Sequence, residues 1–176
     1  IMAWEPAFAA IGLRNAIVVE PYPSDMSFNV EDPLISCVVY SQSRQSRIGA
    51  TFLTDKTTGQ ILSCKITVPA DYQTIAFEAG VFAISDVDSR YQSYHISDDA
   101  VCEVLKAQMM GVFGQCIGLS PNMAGSHAYS PEQLVDPEFT SEHGITASVT
   151  DNVIFNYLAK PGDKERGVST IVDKIG

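Results

Sequence analysis

The stretch Gln108 to Ala128, QMMGVFGQCIGLSPNMAGSHA, constrains the fold more than any other. It reads as the end of an amphipathic helix, a glycine stop at Gly118, then a turn into a new direction. Upstream, Ser97-Asp98-Asp99 supplies the start. The serine hydroxyl can accept from orphan backbone N–H groups, and the two carboxylates suit the positive end of a helix. Between start and stop, Val101, Leu105, Met109, Val112 and Cys116 recur at helical spacing and predict one buried stripe. A long helix with one apolar stripe must lie against a second layer, and the chain before it supplies candidates for that layer.

Trp4, Phe8 and Ile11 sit at helical spacing in residues 1–11, with Gly12 as a stop. Ala16-Ile17-Val18-Val19 predicts a strand over 15–20. A proline-bounded loop, 21–33, leads to a β-rich run over 34–41, and a second short strand is expected over 48–54. Asp55-Lys56-Thr57-Thr58-Gly59 is a turn sequence with a glycine free to take positive φ. Ile61 to Val68 alternates, with Leu62, Cys64, Ile66 and Val68 on one side and Ile61, Ser63, Lys65 and Thr67 on the other; this is the pattern of a sheet covered on one face. Residues 71–94 fit neither period cleanly; a helix over 74–84 is the reading taken, with Asp71, Glu78, Asp86 and Asp88 as solvated surface. After the central helix, Ser130-Pro131-Glu132-Gln133 is a capping box and Asp136-Pro137 repeats the cap-plus-proline signal, with Gly144 as a stop. Strands crowd the first half and helices the second. The fold class expected is α/β (α+β), a twisted, mostly mixed sheet with a central helix and a backing helix, in a single domain over residues 1–176.

Composition excludes some functions. The formal net charge is −10, which argues against nucleic acid and anionic membrane surfaces as partners. No apolar run approaches the roughly 20 residues that span a bilayer. Ile1-Met2-Ala3-Trp4 reads as the middle of a helix, so the chain is expected to be cut from a longer precursor whose other domains are candidate partners. The four cysteines, Cys37, Cys64, Cys102 and Cys116, have no CxxC spacing and give a zinc ribbon no support; free, buried thiols are the expected state.

The frame of the central stretch resembles a zinc-peptidase motif. Metzincins use H-E-x-x-H-x-x-G-x-x-H: two histidines one helical turn apart, a glutamate as general base, and a glycine that turns the chain to a third histidine. Gly114, Gly118, Leu119, Asn122, Met123, Ala124 and Ser126 fall where metzincin-type domains of large uncharacterised bacterial proteins have H-E-x-G-H-x-x-G-L-x-H-N-M-A-x-S. The resemblance extends to Trp4, Ala7-Phe8 and Gly12 to Ile17; to Asp55-Lys56-Thr57-Thr58-Gly59-Gln60-Ile61-Leu62; to 129–144; to Ser148-Val149-Thr150-Asp151-Asn152 at the methionine turn; and to Asn156-Tyr157, Ala159 and Pro161-Gly162-Asp163. It implies a zincin fold, a zinc cofactor and peptidase chemistry, in a protein expected to be extracytoplasmic.

The chemistry of that motif is absent. Gly111, Gln115 and Pro121 stand at the ligand positions, Val112 at the general-base position and Thr150 at the turn methionine, with Asn152 at its tyrosine. Glycine and proline carry no ligand atom, and valine cannot take a proton from water. The expectation is therefore a pseudopeptidase without zinc, in a binding or structural role. A vestigial cleft near Gly111, Gln115, Cys116, Pro121, His127, Thr150 and Asn152 would hold a peptide or glycan. Two alternatives are a hydrolase built on Cys116 and His127, and a purely structural domain with a closed cleft. For both residues the plainer role comes first: core packing for Cys116, which continues the apolar stripe, and surface or hydrogen bonding for His127.

Overall fold

The computed structural model describes residues 1–23, 28–42 and 47–176. A 3-10 turn, Met2–Trp4, runs into a short helix α1, Glu5–Ala10, and Gly12 at φ +88° ends it. Among the described residues three strands follow: β1 Cys37–Ser41, β2 Gly49–Thr54 and β3 Ile61–Pro69. β3 is central, parallel to β1 and antiparallel to β2, so the sheet is mixed. The β2–β3 connection is the expected turn. The Asp55 carboxylate accepts from Thr57 N–H at 2.7 Å, and Gly59 adopts φ +76°.

The register fixes the two faces. Val38, Ile66 and Ala50 are cross-strand neighbours, as are Cys37, Lys65 and Thr51. Ile66 faces the main core. The polar face, expected to meet solvent, is partly covered by the segment before β1. The Ser63 hydroxyl donates to the Pro33 carbonyl, which leaves Ser63 buried, and Lys65 pairs with Glu31 at 3.1 Å.

The strand expected over 15–20 does not form. Asn15 takes φ 53° and donates its N–H to the Glu5 carboxylate at 2.6 Å. Val18 and Val19 are 74% and 57% exposed. Strand propensity expresses packing against neighbouring strands, and this run has none: an apolar groove of about 860 Å³ lies between it and the β1 edge. The run expected over 34–41 is likewise shortened to its second half.

Helix α2, Tyr72–Ala83, confirms a helix in the ambiguous region and buries Tyr72, Ala76 and Gly80 on one face. A 3-10 turn, Ser89–Tyr91, leads to α3, Asp98–Cys116. Ser97 caps α3 as expected, accepting from Ala100 N–H. The buried face of α3 is rotated from the expected stripe: Ala100, Val104, Ala107, Met110 and Gly114 are buried, whereas Val101, Leu105, Met109 and Val112 are half-buried beside them. The cause is that α3 is packed on two sides. Val104 and Cys116 belong to a cluster with Ile66, Tyr91 and Phe155, and Ala107 and Met110 to a second with Trp4, Ile145, Val149 and Val172. α4, Pro131–Leu134, has the full capping box, and α5, Pro137–His143, is capped by Asp136 and stopped by Gly144. The remaining segment, 145–176, has no helix or strand among the described residues; the bridge Phe155 to Ile171 and bonds to distant residues hold it, among them Asn156 to the Leu134 carbonyl at 2.6 Å and Ser169 N–H to the Thr140 hydroxyl at 3.1 Å.

Asp88, expected on the surface, is 1% exposed. It accepts from Arg90 at 2.7 Å and Lys164 at 2.5 Å, and Arg90 also grips Glu103 on α3 through two bonds. Burial alone would raise the Asp88 carboxyl; the Arg90 and Lys164 bonds outweigh it and hold the pKa down at about 2.

Two outcomes are expected. A folded pKa below the ordinary value of 3.8 gives stability that is complete above that value and lost as pH falls towards 2. Asp88→Asn should therefore flatten the acid limb of the stability curve by about 2 kcal/mol, measured by urea denaturation between pH 5 and 2. Gly80→Ala gains roughly 1 kcal/mol of helix propensity. Its methyl group would sit inside the buried Tyr91 ring, so overpacking of about 1–3 kcal/mol should dominate and lower the urea midpoint.

Candidate functional site

The last two turns of α3 carry Gly111, Val112 and Gln115, and the loop beyond Gly118 carries Pro121 and His127. Gly118, at φ +98°, makes the turn that separates them. The segment 146–151 lies against both. A β-carbon built on Gly111 would be 2.8 Å from the Val149 carbonyl oxygen. One built on Gly114 would be 3.0 Å from the Thr150 methyl and 3.0 Å from the Trp4 ring. The two glycines thus form a flat strip on α3, met by backbone at Gly111 and by the Thr150 and Trp4 side chains at Gly114. Trp4 closes one end, its indole N–H donating to the Met110 carbonyl at 3.0 Å.

The loop is tied to the same segment. Asn122 N–H donates to the Thr150 carbonyl at 3.2 Å, and Ser126 N–H to the Asp151 carboxylate at 2.6 Å. Asp151 is buried, and Thr150, also buried, shares a hydrogen bond of 3.0 Å with Ser148. Ser126 lies in the 3-10 helix Gly125–His127, and Ser120 in the irregular stretch before it.

The structure brings together Gly111, Gly114, Thr150 and the backbone of Asn122. It leaves Pro121, His127 and Asn152 exposed and Gln115 half-buried. Among the described residues, the side chains of Gln115, His127 and Asn152 make no hydrogen bond or ion pair. The groove of about 860 Å³ lies elsewhere. It is lined by Ile17, Val19, Val38, Tyr40 and Phe113, and by none of Gly111, Val112, Gln115, Pro121 and Thr150.

The residues present do not fit a zinc ion. Gly111 and Pro121 supply no donor atom, Gln115 offers one neutral amide oxygen, and the space before Gly111 is taken by the Val149 carbonyl. Among the described residues no group of three or more His, Cys, Asp or Glu could hold a metal ion.

Cys116 is unsuited to nucleophilic chemistry. It is 7% exposed, and burial, with the neighbouring Cys64 thiol, pushes its pKa up to about 12, so it stays protonated at neutral pH. It sits in the core cluster while His127 is on the surface. Sequence reasoning missed Trp4, Val149 and Asp151 as site neighbours. The glycine pair three residues apart was the available signal of close approach, but the partner is a main-chain carbonyl, which no side-chain pattern marks.

Residues 93–176 match a domain family described as Met-zincin. The match spans α3, the loop beyond Gly118 and the Val149–Thr150 segment. No curated protein and no solved structure matches the chain. The second half is metzincin-like and metallopeptidase-like, and the mixed sheet with its helices is consistent with a zincin-type fold.

The Gly111 contact yields a measurable outcome. Gly111→Ala should lower stability despite its gain of roughly 1 kcal/mol in helix propensity, because the carbonyl it meets is backbone. A net loss of about 1–2 kcal/mol in urea denaturation is expected, and more for Gly111→His.

Proposed function

We propose that this chain is a metallopeptidase-like domain without catalysis, working as a binding or structural module in an exported protein. The observation that carries it is the contact at Gly111. The position where a metzincin would place its first ligand has no side chain, and a carbonyl fills the space a side chain would need. The lack of donor atoms at Pro121 and of a base at Val112 supports the same reading.

The binding form of the proposal places an extended peptide or a glycan across the C-terminal end of α3. Gln115, His127 and Asn152 carry polar groups with no hydrogen-bond partner among the described residues, and a ligand's amides or hydroxyls could pair with them. A second reading, a purely structural domain, draws on the ties from the loop to 146–151, which narrow the space above Gly111.

Elemental analysis after zinc loading and desalting tests the loss of catalysis. Well below about a tenth of an equivalent of zinc is expected, since a true site retains its ion. A parallel fluorogenic peptide-library assay should show no cleavage above blank. One equivalent of bound zinc with zinc-dependent cleavage would overturn the proposal.

A further inference from the structure

β1 is an edge strand: β3 pairs with one side of it, and among the described residues no strand pairs with the other. The register says which groups the free side carries. Ala70 N–H donates to the Ser41 carbonyl at 2.8 Å, and Ser41 is opposite Pro69, so Ser41, Val39 and Cys37 are the residues that bond to β3. Val38 and Tyr40 alternate with them and turn their backbone N–H and C=O groups outward. Among the described residues nothing bonds to those four groups.

The space beside this edge is a slot. The groove of about 860 Å³ is walled by β1 on one side and by 17–23 on the other. Phe113 and Ile66 line it on the helix-covered face of the sheet, and Val30 lines it on the opposite face, next to the Glu31–Lys65 pair. Val38 and Tyr40 share the face of Ile66, yet they are 48% and 69% exposed, since the slot lies over them. An edge with unpaired backbone groups and apolar walls on both faces suits an extended chain, which bonds through its backbone and sends side chains alternately to either face. The run 16–20 does not take this place: the Asn15 bond to the Glu5 carboxylate turns its start away. Charge says what kind of chain fits. Glu20 is the charged residue among the described ones that line the slot, and the whole chain carries −10. A second copy would bring like charge; a basic segment would pair with Glu20.

We propose that the slot is a peptide-binding site, at which an extended segment of a partner protein adds to β1 as a fourth strand. That segment has apolar residues at alternate positions and a lysine or arginine beside Glu20. Its backbone bonds to Val38 and Tyr40, and its apolar side chains cover Val38, Tyr40 and Phe113. None of Gly111, Gln115 or Pro121 lines the slot, and the site does not depend on the proposed loss of zinc chemistry.

The test titrates the unmodified chain into a fluorescently labelled peptide of alternating valine and threonine with a terminal lysine, read by anisotropy. Amide exchange at Val38 and Tyr40 is followed by NMR in the same samples. Saturable binding and slowed exchange at both amides are expected. Of two further peptides, N-methylated at every valine or at every threonine, one should bind at least about tenfold more weakly, because alternate N–H groups face β1. Val38→Pro removes an outward N–H at an edge position that tolerates proline, so it should weaken binding about tenfold and leave the urea midpoint nearly unchanged. Glu20→Lys should weaken binding several-fold, and so should glutamate in place of the peptide's lysine. No binding at millimolar peptide would overturn the proposal, as would both N-methylated peptides binding like the parent. Val38 and Tyr40 amides already protected in the free monomer, or protected only as the chain dimerises, would overturn it too.

Discussion

The approach of α3 to the Val149–Thr150 backbone is the contact on which the second half of the molecule depends. A helix carrying ordinary side chains keeps a neighbour at a distance set by those side chains. Gly111 and Gly114 remove them, and the carbonyl of Val149 and the methyl of Thr150 occupy the gap. Each glycine costs roughly 1 kcal/mol of helix stability relative to alanine. That cost is offset by what the approach permits: the buried Trp4 indole bonded to the Met110 carbonyl, the Asn122 bond to Thr150, and the Ser126 bond to buried Asp151. Loosening the strip would release all three at once, since each joins α3 or its following loop to a segment that reaches it only at this distance.

A second constraint holds the same helix from the other side. Asp88 is buried with two cations, and Arg90 spans from it to Glu103 on α3, while Lys164 reaches it from the C-terminal segment. A buried carboxylate is costly unless paired and hydrogen-bonded. Here the network around it joins three separate stretches of chain, 88–90, Glu103 on α3 and Lys164, so the group that is expensive to bury also specifies how those stretches meet. With the apolar clusters on either face, α3 is fixed at its start by charge and at its end by close backbone contact.

Local signals explain why α3, α4 and α5 were legible in the sequence. Ser97, Ser130 and Asp136 act as caps, and Gly118 and Gly144 stop their helices at positive φ, because these roles depend on a few adjacent residues. The β2–β3 turn at Asp55–Gly59 was legible for the same reason. What escaped were features decided by distant partners. The apolar run over 15–20 has strand composition, yet Glu5 captures Asn15 and turns the chain away from a ladder. Asp88 looks like a surface acid until Lys164, far along the chain, is brought to it. The buried face of α3 was misplaced by a fraction of a turn because one-sided periodicity cannot describe a helix packed on two sides. At the candidate site, the side chains that Gly111, Gln115 and Pro121 carry or lack were readable, but the carbonyl that fills the space before Gly111 was not.

On the reading proposed above, the absence of ligand residues and the close packing of α3 belong together physically. In a zinc site, the ion crosslinks a helix, a following loop and whatever lies beneath, and its binding energy is part of the folding energy. A chain without that crosslink must join the same segments by other means. Here the join is made of loop N–H groups bonded to the Thr150 carbonyl and the Asp151 carboxylate, and of Val149 and Thr150 packed on a glycine strip. Gly114 and Gly118 serve the packing and the turn whether or not a metal is present. Gly111 serves only the packing: a histidine there would need the volume that the Val149 carbonyl holds. On the reading proposed above, the scaffold is stabilised by its own contacts. Restoring the three ligands and the base would then have to undo that packing before it could build a metal site.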